Sequence, residues 1–78
     1  MIDWHIIHEC DLEDGTPTQW YTEIDHDLYG RFVWIDLTAT GEYQITAEEG
    51  GTFITLAVRK KLYNAKQWVR RHLIRKGN

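Results

Sequence analysis

His5, His8 and Cys10 stand within six residues of one another, and imidazole and thiolate are the ligands a zinc ion takes. A zinc site needs about four such groups converging at defined spacing. In an extended segment His5 and His8 project to opposite faces, and only His8 and Cys10 share a side. His26 and His72 lie far along the chain, with nothing in the sequence to bring them in. The spacing therefore predicts no metal and no cofactor, and it leaves His8 and His72 as partly buried residues at aromatic edges. Carboxylates are the second candidate chemistry. Glu23 and Asp25 alternate onto one strand face with Asp27 just beyond, and Asp3 or Glu9 would lie across from them. Glycosidic hydrolysis uses such a pair. A solvated acidic sheet face accounts for the same residues, and so short a chain has little room for an enclosed cavity of several hundred Å³. The sequence holds no nucleophile elbow, no Gly-rich phosphate loop and no Cys/His pair at a known catalytic spacing. Catalysis is not expected.

Binding is the remaining chemistry, and charge divides the candidates. Residues 1–50 carry all 12 acids against one base, Arg31, a net of −11; residues 51–78 carry eight Lys and Arg and no acid, a net of +8. The simplest expectation is that the two halves neutralise each other in the fold. Two surfaces offer more. Lys66, Arg70, Arg71 and Arg75, in a basic run from Arg59 onward that is interleaved with Tyr63 and Trp68, would suit contact with nucleic-acid phosphates and bases. Against this stand the pI near 5.7 and the acids accompanying Tyr21, Phe32 and Trp34, which would repel a phosphate backbone. Tyr21, Glu23, Asp25, Phe32, Trp34 and Asp36 together have the make-up of a protein-recognition patch, aromatic anchors within a polar rim. Carboxylates over a sheet also imitate nucleic-acid charge and would fill a basic cleft on a partner, as some mobile-element inhibitors do. A loop over residues 11–17, or a second copy of the chain as a homodimer mate, is the alternative cover for these rings.

Elements must hold these residues in place. The clearest is the stretch 59–76, where Leu62, Ala65, Val69 and Leu73 recur at helical spacing with Trp68 and His72 along the edge and Arg70, Arg71 and Arg75 pointing away. Lys60 and Lys61 are poor residues for its start, where positive charge opposes the helix dipole. Upstream the period is two. Residues 2–10 place Ile2, Trp4, Ile6, His8 and Cys10 on the core side, and residues 18–25 do the same with Trp20, Thr22 and Ile24. Residues 31–38 are apolar on both sides, Val33, Ile35 and Leu37 against Phe32 and Trp34, which marks a central or doubly covered strand. Tyr43, Ile45 and Ala47 alternate with polar partners, and residues 52–58 set Ile54, Leu56 and Val58 on one side. Asp14-Gly15, Tyr29-Gly30, Thr40-Gly41 and Gly50-Gly51 punctuate the strands as turns. Links this short forbid parallel crossovers. The expected fold is α+β in the order βββββα, an antiparallel meander with one helix on one face, in a single domain spanning residues 1–78.

The single Cys10 excludes an internal disulfide, residues 1–10 lack the pattern of a signal peptide, and no run approaches the ~20 apolar residues of a membrane span. A cytoplasmic address is expected. The words Trp4-His5-Ile6-Ile7-His8-Glu9 and Asp14-Gly15-Thr16-Pro17-Thr18 with Trp20, then Tyr29-Gly30, Val33-Trp34 and Ala65-Lys66-Gln67-Trp68-Val69, resemble small uncharacterised proteins of Gram-positive gut bacteria and their mobile elements. That group has no assigned activity, so the resemblance implies a bacterial, intracellular setting and a Ser or Thr at the helix start, where this chain has Lys61. The sequence thus leads to a non-catalytic protein-binding module acting through its aromatic and acidic sheet face. Nucleic-acid binding by the basic helix, and inhibition by charge mimicry, are the alternatives.

Overall fold

A computed structural model of the chain describes residues 3–8 and 12–74. Five strands, β1 (His5–Ile6), β2 (Gln19–His26), β3 (Gly30–Leu37), β4 (Tyr43–Glu49) and β5 (Thr52–Arg59), precede one helix, α1 (Leu62–His72). The strands lie in the order β1-β2-β3-β4-β5 and every neighbouring pair is antiparallel. This is the α+β meander that the alternation predicts.

Alternation sets the core. Trp20 and Ile24 of β2, Val33 and Ile35 of β3, and Ile45 and Ala47 of β4 are buried on one face. Ala65, Val69 and Leu73 of α1 close over them, with the helix lying above β4 and β5. Thr22 is the buried polar residue of that face, and its hydroxyl donates to the Asp3 carbonyl at 2.7 Å, so its burial leaves no group unpaired. The tightest turn needs glycine. Glu49 pairs with Thr52, leaving Gly50 and Gly51 as a two-residue loop with φ of 61° and 88°. Both positions of such a hairpin turn require positive φ, which glycine alone adopts without strain.

Two expectations are corrected. Among the described residues the first strand, expected over residues 2–10, is His5–Ile6. Its pairs there are His5 with Tyr21 and Ile6 with Trp20, and Ile7 adds a bond to the Gln19 carbonyl at 3.0 Å. Because α1 covers the β4–β5 side of the sheet, Ile6 has little to bury against and stays 39% exposed. Ile2 and Cys10 lie outside the described residues. The second correction concerns β5. Ile45 pairs with Ala57 and the adjacent Thr46 with Thr55, so Leu56 is an extra residue in a bulge. Beyond it the strand changes faces. Ala57 replaces Val58 against the core, and Val58 is 41% exposed.

The helix start is as poor as its sequence suggests. Lys61 occupies the N-cap with extended backbone and no side-chain cap bond, and the first turn holds no acid. A Lys61→Ser chain should be more stable by about 1 kcal/mol, because serine accepts a bond from an orphan N–H and a cation leaves the positive end of the dipole. Thermal melting checks this, with a rise of about 4–8 °C expected for a domain of this size.

Candidate functional site

The sheet face opposite α1 is not covered by any described segment. Its side chains come from alternate positions: His5 of β1, Tyr21 and Glu23 of β2, Phe32, Trp34 and Asp36 of β3, Gln44, Thr46 and Glu48 of β4, and Phe53 and Thr55 of β5. Register brings the rings together. Tyr21 faces His5 on one side and Trp34 on the other, and Thr46 lies between Trp34 and Thr55. His5 stacks on Tyr21 with centroids 5.1 Å apart, and Tyr21 meets the edge of Phe32 at 6.1 Å. Phe32 lies 6.3 Å from Trp34, which meets Phe53 edge-on at 5.3 Å. Five rings therefore form one row from β1 to β5, and each such pair contributes roughly 0.5–1.5 kcal/mol beyond burial. The row remains open to solvent, with Phe32 39% and Phe53 63% exposed while Tyr21 and Trp34 are half-buried by their neighbours.

Of the six residues anticipated for this face, five gather on it. Asp25 is exposed at the bulged end of β2, past the last regular pair, Glu23 with Phe32. The acids are already engaged in part. Glu23 takes a 3.1 Å bond from Arg31, an exposed pair worth little to stability. Asp36 accepts from the Gln19 side-chain amide and from Thr46. Sequence reasoning overlooked Phe53 and His5 as members of the row. The signal for Phe53 was present, since it alternates with Ile54 across β5.

Burial raises the Asp36 carboxyl above its ordinary range, and the bonds from Gln19 and Thr46 only partly offset this. The folded group thus takes up its proton more readily than the unfolded one. Its contribution to stability is full below about pH 4, the unfolded value, and falls as pH rises through the folded value. Asp14 acts in the opposite sense: bonds from Thr16 hold it low, so its contribution is lost as pH falls. Urea titrations of the parent and an Asp36→Asn variant between pH 3 and 7 separate the two. The variant should gain on the parent as pH rises, whereas parallel curves would show that Asp36 is not responsible.

The described histidines belong to separate parts of the fold. His5 is in the ring row, and the His26 ring nitrogen accepts from the Leu28 and Tyr29 amides at 3.1 and 3.4 Å. His72 does lie at an aromatic edge, 4.6 Å from Trp68, but both it and His8 are exposed, not partly buried as anticipated. Among the described residues no three of His, Cys, Asp or Glu are placed to hold a metal ion.

Ion pairs between the basic helix and the acidic sheet, the simplest expectation from the charge division, do not form among the described residues. The salt bridge there is Arg31 with Glu23, both from the acidic half. The sheet itself is the reason. Layers pack about 10 Å apart, more than the Debye length of about 8 Å at physiological salt, and α1 lies on one side of the sheet with Glu23, Asp36 and Glu48 on the other. The helix bases also part company. Lys66 Nζ lies 5.9 Å from the Trp4 ring centroid, Arg70 is exposed, and Arg71 is displaced from Arg70 by the helical step of about 100°. Arg75 lies outside the described residues. Among them, no helix is long and apolar enough to cross a membrane. No family model, no curated protein and no solved structure matches this chain.

Proposed function

We propose that the chain is a non-catalytic binding module that receives another protein on its uncovered sheet face. The observation that carries this reading is the continuous row His5, Tyr21, Phe32, Trp34 and Phe53, left in solvent by a fold that had a helix available to cover it. Aromatic anchors dominate protein interfaces because each removes a large area from water at small entropic cost. The carboxylates around the row favour a basic partner surface, whose Arg and Lys would meet ring faces and acids together. The separation of the acidic face from the basic helix supports the related role of occupying a basic cleft, as a mimic of nucleic-acid charge. A bacterial cytoplasmic setting fits this reading; its supports are the lone Cys10 and the resemblance to small bacterial and mobile-element proteins.

A photo-crosslinking amino acid at position 53, compared with one at position 63 on the helix, tests the face in expressing cells. The expected result is an adduct with another protein from position 53 alone, lost when Trp34→Ala is added. Adducts from position 63 only, or from neither, would contradict it.

A further inference from the structure

The sheet row does not exhaust the exposed ring surface. Where β5 ends beside α1, Arg59, Tyr63, Gln67, Trp68, Arg71 and His72 line an open groove of about 310 Å³. Its make-up differs from the sheet face in sign. It holds three rings, two amides (Asn64 and Gln67) and two guanidiniums, and no carboxylate lines it. Among the described residues Arg71 and Arg59 enter no ion pair; Arg59 spends one N–H on the Val58 carbonyl at 2.7 Å, which leaves the rest of its donor fork available. Trp68 and His72, one turn apart, form a continuous shelf with centroids at 4.6 Å and a tilt of 37°. Tyr63 is the most exposed large apolar-bodied side chain of the described residues, at 69%. Unneutralised guanidiniums beside open rings form the combination that holds a phosphate and stacks a planar base.

We propose that this groove binds one nucleotide unit, with the phosphate on Arg59 and Arg71 and the base stacked on Tyr63 or on the Trp68–His72 shelf. Its volume is at the small end of ligand sites, so it takes a single unit. A duplex hides the faces of its bases, so the unit must come from a free nucleotide or from a single strand. The inference is independent of the sheet-face reading, since the groove lies on the other side of the sheet.

The test titrates a fluorescein-labelled 12-nucleotide thymidine strand, the same length of duplex, and adenosine monophosphate against the intact chain in low salt. Single-strand binding should exceed duplex binding, and Tyr63→Ala should weaken it by about fivefold or more. Arg71→Gln and Arg59→Gln should each reduce the slope of log affinity against log salt by about one. Arg31→Gln, paired with Glu23 and not lining the groove, is the control and should change neither. Binding of the monophosphate with the same Arg and Tyr dependence assigns the free nucleotide as ligand, and binding of the strand alone assigns single-stranded nucleic acid. Equal affinity for duplex and strand with no effect of Tyr63→Ala, or no binding of any probe, would overturn the proposal. Thermal melts of each variant establish that it is folded.

Discussion

An Ile35→Ala chain should lose about 2–5 kcal/mol of stability, and its melting temperature should fall by at least about 10 °C. Ile35 is fully buried at the centre of β3, paired with Trp20 on one side and Ile45 on the other. Truncation removes three carbons from water-free contact and leaves a cavity that two hydrogen-bonded neighbours prevent from collapsing. The consequence is large because the margin is small. A domain of this length has about 4–12 kcal/mol in all, so the substitution consumes a substantial share. Urea denaturation followed by tryptophan fluorescence measures it. A loss under about 1 kcal/mol would mean that the meander and α1 do not enclose Ile35 as described.

Trp34→Ala should do the reverse, leaving a folded chain with a damaged surface. Trp34 is one residue away on the same strand, but it faces the uncovered side and touches Phe32 and Phe53. Its removal costs two ring contacts, about 1–3 kcal/mol, and opens no enclosed cavity. On the proposed function, the same change removes the central anchor of the interface. Truncating such an anchor typically costs 2 kcal/mol or more of binding, about 30-fold in Kd. Phe53→Ala guards the comparison, since that ring is 63% exposed and its loss costs a single ring contact, about 0.5–1.5 kcal/mol. Affinity for the partner recovered by crosslinking should fall in both variants while circular dichroism remains that of the parent. Unchanged affinity in Phe53→Ala and Trp34→Ala would remove the row from the interface.

The two residues show how much of the molecule is legible from residue order. Val33, Ile35 and Leu37 against Phe32 and Trp34 gave both the strand and its two faces, and a period of two with glycine-bearing turns then left an antiparallel meander as the simple solution. The helix was equally plain, down to its weak start at Lys61. What could not be read arises where elements meet. The bulge at Leu56 is a property of pairing with β4, so Val58 kept a core assignment that only register removes. The length of β1 depends on what α1 covers, and the missing ion pairs depend on the sheet separating two charged regions. Phe53 is legible in the sequence, since it alternates with Ile54 on the more polar side of β5. The groove was not legible, since Arg59 belongs to a different element from Tyr63 and Arg71, and only the β5–α1 junction joins them.

Residue-resolved NMR of the labelled chain, titrated with an arginine-rich peptide, tests the open aromatic face most directly. The side-chain resonances of Tyr21, Phe32, Trp34 and Phe53 should move together along one saturable curve, with those of α1 unmoved. Shifts confined to exposed acids such as Glu49 and Asp27, with the ring signals stationary, would show that the peptide meets charge alone and that the face is not a binding surface.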